Sequence, residues 1–511
     1  MQTKHSKRVI SHITFEMTGT NGVTNGKAHV AFESSSVVPL FLDGKQITTE
    51  TTFEVTSPND GKMCWKCSSA GEEDAINAVE SAQKAFKSWS KTKPNTRRDI
   101  LLKAAELLKA KQAEAAIYSN TETGAAESMF GFEFGLAVDG LLTAAGLIPA
   151  VQGSVLTPAA EGQSAIMVKE PYGVILAIAP WNAPHVLGMR SFVGAIAVGN
   201  TVVLKCPEAS PATYWNFVNV MHEAGLPPGV LNTIVHRPQD AAQVTSALIN
   251  HPAVRKVNFT GSTNVGSIIA GMCGKALKPC LMELGGKAPS IVCADANLDN
   301  AALQCALGAF LHAGQICMAT ERIIVESTVV EEFKKKLAST IDQVFSKDAP
   351  AQVLVAAPGV KKNKELLKDA TSKGARTVYG DANAEEESNT RMRPVVIEGV
   401  KEEMDIYHAE SFGPTVSIYS VPTGEGFEEE ALRLANDTDY GLSSAVFTED
   451  LRKALRLARE LQAGAVHVNN MTVHDEPGLA HGGWKKSGFG RFGMQQGLEE
   501  WVQTKTITWK D

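Results

Sequence analysis

The sequence predicts an α/β protein built on a parallel, doubly wound sheet. Three observations carry that expectation. From Tyr172 onward short apolar runs alternate with segments of helical period, Gly and Pro punctuate the joints, and polar or glycine-rich turns follow directly on strands.

The elements follow in order. Residues 1–37 are rich in Ser, Thr, Asn and Gly without a sustained period, and are expected to form a flexible extension. In "FEVTSPNDGKMCWKC" the Pro58–Gly61 turn separates two strand-like runs. In "EEDAINAVESAQKAFKSW" Ile76, Val79, Ala82, Phe86 and Trp89 recur at helical spacing. "NTRRDILLKAAELLKAKQAEAA" reads as one helix, capped by Asn95 or Thr96, with an apolar face through Ile100, Ala104, Leu107 and Leu108. "GVILAIAP" and "TVVLKCP" are short apolar runs of the kind buried on both faces of a parallel sheet. A helix over 210–224 opens with Ser210 as cap and Pro211 in its first turn, and Gly225 closes it. Then come strand "VLNTIV", helix "PQDAAQVTSALIN", strand "VRKVNFTGS", a helix after Gly261 and strand "PCLMEL". A second α/β set opens with "PSIVCA", a helix over 299–313 and "TERIIVES".

Composition narrows the function. The chain has 511 residues, enough for roughly two to four domains. With 44% hydrophobic and 21% charged residues it is of ordinary globular composition. A net charge of −7 gives no basic surface for nucleic acid or an anionic membrane. No apolar run of membrane-spanning length is evident, nor a secretory h-region near Met1, although Lys4, Lys7 and Arg8 make the start mildly basic. Eight scattered cysteines do not form a disulfide framework, so a cytoplasmic location is expected. Cys64 and Cys67 form one C-x-x-C, but residues three apart on a strand point to opposite faces. No second such pair completes a metal site, and none is expected.

Candidate chemistry lies in the loops. "GFGRFG", Gly488 to Gly493, has dinucleotide-loop spacing but no strand before it and no room for the later acid. "FTGSTNVG" lacks that spacing, yet it follows a strand and opens a helix, the setting of a phosphate-binding turn. "APWNAP", "KCPE", "TGSTNVG" and "ELGGK" each follow a strand and should open on one sheet edge. They would gather Asn182, Lys205, Glu208 and Glu283 there. Each residue alone has a bland reading: a turn former, a solvated pair, a strand-end acid. Cys317, in "HAGQICMATER", falls in a loop between a helix and a strand, and is by itself either a core cysteine or a reactive thiol.

Taken together, "APWNAP", "FTGSTNVG", "MELGGKAPSIV", "GQICMATERIIV", "ESFGPTVSI", "NDTDYGLSSAVFTED" and "GGWKKSGFGR" resemble the ordered motifs of the aldehyde dehydrogenase superfamily, from about Val38 to the last residue. "PWNAPHVLGMR", "GQICMATER" and "VNNMTVHDEP" resemble most its salicylaldehyde and vanillin dehydrogenase branch. The resemblance implies oxidation of an aldehyde, here aromatic, to the acid with NAD or NADP. Residue by residue, it places the nucleophile at Cys317, an oxyanion donor at Asn182 and the base for thioester hydrolysis at Glu283. It assigns Lys205 and Glu208 to the adenosine ribose, and the turn of Gly261, Ser262 and Gly266 to the pyrophosphate. Trp181, Glu410 and Phe412 fall at the nicotinamide end. Glu208 would favour NAD by repelling a 2′-phosphate.

The implied organisation is a cofactor domain (38–151 and 172–284), a catalytic domain (285–495) and an oligomerisation element (152–171 and 496–511). A homodimer or homotetramer is expected, with no nucleic acid or membrane partner. Two departures from the family stand out: Ala480-His481-Gly482-Gly483 where many members have "PFGG", and Gln503 where a second acid often stands. Three rivals are a CoA-acylating dehydrogenase, a thiol esterase and an idle structural protein. The presence of Glu283, the nucleotide loops and Cys317 argue against each in turn. Arg190, eight positions after Asn182 on a helix, is either a domain-seam ion-pair partner or a donor to a polar ring substituent.

Overall fold

A computed structural model describes residues 31–345 and 348–510. Among these, an eight-stranded sheet runs in the order Gly488–Phe489, Cys280–Glu283, Val254–Thr260, Val174–Ile178, Thr201–Lys205, Leu231–Ile234, Leu40–Leu42, Lys45–Ile47. Its five middle strands are parallel, and antiparallel strands finish both edges. Val174–Ile178 is buried at every residue, as a strand covered on both faces must be. A seven-stranded sheet follows, in the order Arg376–Tyr379, Val395–Glu398, Thr415–Val421, Thr320–Glu326, Ala288–Val292, Ser443–Phe447, Ala465–Val468. All but Arg376–Tyr379 are parallel there. The first sheet's core draws on Trp89, Phe192, Phe217 and Trp501; separate clusters around Ile324 and Phe310 flank the second. In the third sheet Val502–Lys510 pairs antiparallel with Gln163–Pro171 along its whole length, and Ser154–Leu156 lies on the other side.

Several expectations need correction. The helix expected to start at Asn95 or Thr96 spans Pro94–Ala110, with Lys93 at its cap position. Proline at the first helical position loses no hydrogen bond and has the right φ, so it sets the start. The segment breaks at Lys111 and resumes as Gln112–Thr123. Its buried face runs through Arg97, Leu101, Ala104 and Leu108, whereas Ile100 and Leu107 are only half-buried.

Pro211–Glu223 begins without a cap bond from Ser210. The buried Glu122 carboxylate caps it instead, accepting from the Ala212 and Thr213 amides at 2.8 Å each. A long-range carboxylate at a helix start leaves no local signal in sequence.

Glu127–Leu147 was not anticipated, and the 127–150 segment is long and apolar enough to cross a membrane. It is so by length and composition only: Glu133 and Asp139 interrupt the apolar run, and the helix is a core element. The helix buries Phe130, Phe134 and Leu141 in the first core, and its Glu133 accepts from the His185 amide at 3.1 Å. The expected extension lies mostly outside the described residues. Its last part is packed: Phe32 meets Trp65, Tyr118 and Trp215, and the Ala31 amide donates to Tyr118 Oη at 2.7 Å.

Candidate active site

Parallel order puts four loops on one edge of the first sheet. Ile178 is in register with Lys205 and Phe259, and Thr260 with Glu283, so Trp181, Asn182, Lys205, Glu208, Gly261, Ser262 and Glu283 all leave its carboxyl side. Lys205 Nζ stands 3.7 Å from Glu208 Oε2. Desolvation lowers the Lys205 pKa, and Glu208 opposes that. Ser262 is extended and its carbonyl accepts the Gly266 amide at 2.9 Å, opening the helix Thr263–Lys275. A Cβ at Gly266 would come within 2.3 Å of Leu284, so that helix lies against the strand end carrying Glu283.

The Cys317 loop is held by unusual backbone. His312, Ala313 and Gly314 all have left-handed φ, and a Cβ at Gly314 would meet the Gly413 carbonyl at 2.2 Å. Buried Gln315 fastens the turn: Nε2 donates to the His312 and Val353 carbonyls, and Oε1 accepts the Val355 amide. Asn182 Nδ2 donates to the Gln315 carbonyl at 2.9 Å, which brings that amide to the loop of Cys317. Gly286 crosses beneath, where a Cβ would lie 2.1 Å from the Cys317 carbonyl. Glu283 acts on the Cys317 thiol. Desolvation, then Glu283 and Glu410, raise its pKa well above the ordinary thiol value, and Arg190 pulls the other way.

At the second sheet's contribution, the Gly286 amide donates to Glu410 Oε1 at 2.7 Å. Burial, with Glu321 nearby, pushes the Glu410 carboxyl up to about 7. Phe412, at φ +48°, sets its ring edge-on to Trp181 with centroids 5.9 Å apart. Glu321 and Lys287 were missed by the sequence reading, although both lie within the quoted motifs. They form a buried 2.6 Å ion pair, and Glu321 accepts the Ser411 and Phe412 amides, fixing the loop that presents Glu410. A strand residue such as Glu321, or a loop residue such as Lys287, that turns inward to another loop has no pattern that marks it.

Arg190 is paired with Asp475 and lies over Phe492. His481 Nε2 is 3.6 Å from Glu283 Oε1, and its Nδ1 is 3.9 Å from Asp475 Oδ1. Gln503 sits on the third sheet opposite Glu170. The "GFGRFG" segment starts as an edge strand, Gly488–Phe489, against the strand of Glu283. Cys64 donates to the Val55 carbonyl while Cys67 is buried, and no cluster of three metal-ligating side chains occurs among the described residues.

A thiol, a carboxylate and an amide thus converge beside a glycine-lined sheet edge. Residues 45–507 match the aldehyde dehydrogenase family, and the chain belongs to it. It is an enzyme, an aldehyde dehydrogenase. A vanillin dehydrogenase of Pseudomonas sp. strain HR199 is 43% identical, over 92% of this chain and 97% of its own. The crystal structure of a salicylaldehyde dehydrogenase from Pseudomonas putida G7, complexed with salicylaldehyde, superposes with a TM-score of 0.89 at 35% identity, covering 93% and 98% of the two chains. A betaine aldehyde dehydrogenase from Staphylococcus aureus, in complex with NAD+, gives 0.87 at 28%, covering 93% and 95%.

Proposed function

We propose that this aldehyde dehydrogenase oxidises an aromatic aldehyde to the carboxylic acid, with NAD preferred over NADP, through a thiohemiacetal and a thioester on Cys317. The observation that carries the mechanism is the seating of the Cys317 loop, bonded to Asn182 and packed on Gly286 three residues after Glu283. Cys317 attacks the aldehyde carbon as its thiolate, the thiol proton having left to water. The oxyanion takes its hydrogen bonds from Asn182 Nδ2 and the Cys317 amide. Glu283 then draws a proton from water as it attacks the thioester, releasing the acid and the thiol. The aromatic reading is supported by the vanillin and salicylaldehyde specificities in the names of the relatives.

The cleft suits a dinucleotide. Glu410 packs on Gly285, where a Cβ would come within 2.6 Å of Oε2, and the turn after Ser262 opens a helix whose first amides have no intrahelical acceptor. Lys205 and Glu208 would hold the adenosine ribose, the Gly261–Ser262–Gly266 turn the pyrophosphate, and Trp181, Glu410 and Phe412 the nicotinamide end. When bound, NAD supplies the hydride acceptor.

The eight-stranded sheet then serves as cofactor domain, the seven-stranded one as catalytic domain and the three-stranded one as oligomerisation element. Free cysteines throughout the described chain suit a cytoplasmic enzyme. The test is NADH formation across a panel of aromatic and aliphatic aldehydes, with and without CoA. Efficient turnover of benzaldehydes without CoA is expected. Preference for aliphatic aldehydes would overturn the substrate class, and a requirement for CoA would overturn hydrolysis.

A further inference from the structure

Glu283 is 2% exposed, yet as the proposed base it collects a proton at every turnover and has to discharge it. We propose that His481 is the positioning residue for that proton, taking it from Glu283 and releasing it into the cavity on its far side. The inference rests on the reading of Glu283 as base.

The geometry points one way. Glu283 Oε1 and His481 Nε2 are both buried without a hydrogen-bond partner, and they face each other at 3.6 Å. That gap exceeds a hydrogen bond, but a small side-chain rotation closes it. His481 Nδ1 is directed to Asp475, itself held by Arg190. The cavity has its polar end at His481, Asp475 and Arg190, and it reaches the exposed Glu476 and Met494. His481 is therefore the wall between the base and a water-accessible space. The other groups acting on its ring are cations, Arg190 and Arg491, with His467 nearby. Neither arginine accepts a proton. Burial, then Arg190, holds the imidazole below its ordinary pKa while Glu283 opposes, so at neutral pH it has a lone pair to offer.

In the transfer the Glu283 O–H bond breaks and an N–H forms at Nε2. The imidazolium then turns toward the cavity and Nε2 gives that proton to cavity water, so the Nδ1 proton is kept and the ring returns as the starting tautomer. No oxidation state changes.

Rapid mixing of His481→Phe and His481→Ala with NAD and benzaldehyde tests this. An NADH burst near one per active site should remain, while steady-state turnover falls about 10²-fold or more, the lower end of the range for general-base help. Added imidazole should restore turnover in His481→Ala, increasingly so as pH raises its neutral fraction. Unchanged turnover in both variants overturns the inference. So does joint loss of burst and turnover without imidazole rescue, the signature of mere packing. Glu283→Gln run in parallel separates the two readings: wild-type turnover there removes Glu283 as base, whereas a stalled Glu283→Gln beside unaffected His481 variants removes His481 alone.

Discussion

At Glu283 the chemistry separates into steps that one substitution can resolve. Glu283→Gln keeps the shape and removes the basicity, so hydride transfer should survive better than thioester hydrolysis. An NADH burst approaching one per site is expected, followed by turnover lower by about 10²–10⁴-fold. Mass spectrometry should find the acyl group on the Cys317 peptide; an unmodified peptide with no burst would make Glu283 the activator of the thiol only. Glu208 decides the cofactor. Its carboxylate, beside Lys205 at the ribose position, should make kcat/KM higher with NAD than with NADP, and Glu208→Ala should narrow the ratio. Equal efficiency in the wild type counts against that role. Arg190 is the third case. Its pairing with Asp475 fits the seam reading, but its charge also reaches Cys317 and Glu283. If it donates to a ring substituent, Arg190→Leu should lower kcat/KM for hydroxybenzaldehyde more than for benzaldehyde. An unchanged ratio leaves only the ion pair.

The 312–317 loop shows how an element stores the cost of presenting a nucleophile. Two non-glycine residues in left-handed conformation precede Gly314, and Gln315 ties the turn at three points. His312 is buried there with Nε2 unpartnered, and burial lowers its pKa to about 4. The unfolded chain binds this proton near pH 6.5, the folded one only near 4. Stability from the neutral ring is thus fully present above about 6.5 and is lost as pH falls toward 4, by about 3 kcal/mol at most. Denaturant midpoints should drop across that window, and the drop should shrink in His312→Asn, since Asn tolerates left-handed φ. An identical acid profile in the variant would place the sensitivity elsewhere, with half-buried His467, whose pKa burial also lowers to about 4, the next candidate.

For the whole molecule, the three-stranded sheet is the exposed feature. Val155, Ile507 and Trp509 present apolar surface on it, and Val502–Lys510 is an edge strand with unpaired backbone. Such an edge is expected to join a second copy. Sedimentation should report a dimer or tetramer for the wild type and smaller species for Ile507→Lys combined with Trp509→Lys. A monomeric wild type, or an assembly untouched by both substitutions, would assign the sheet to the single chain.

Local pattern determined much of this protein. Alternating apolar runs and helix-period segments placed the parallel strands. The strand-following loops put Asn182, Lys205, Glu208 and Glu283 on one edge, because parallel order forces carboxyl ends together. The Cys317 loop could be located by its flanking elements. What tertiary structure alone decided are the contacts between distant segments. Glu122 caps a helix 90 residues away, Glu321 fixes the loop of Glu410, and His481 faces Glu283 from the far end of the chain. Such pairings have no period and no spacing. They arise when loops from two sheets close over one cleft, and a buried polar atom takes whichever partner the packing brings within reach.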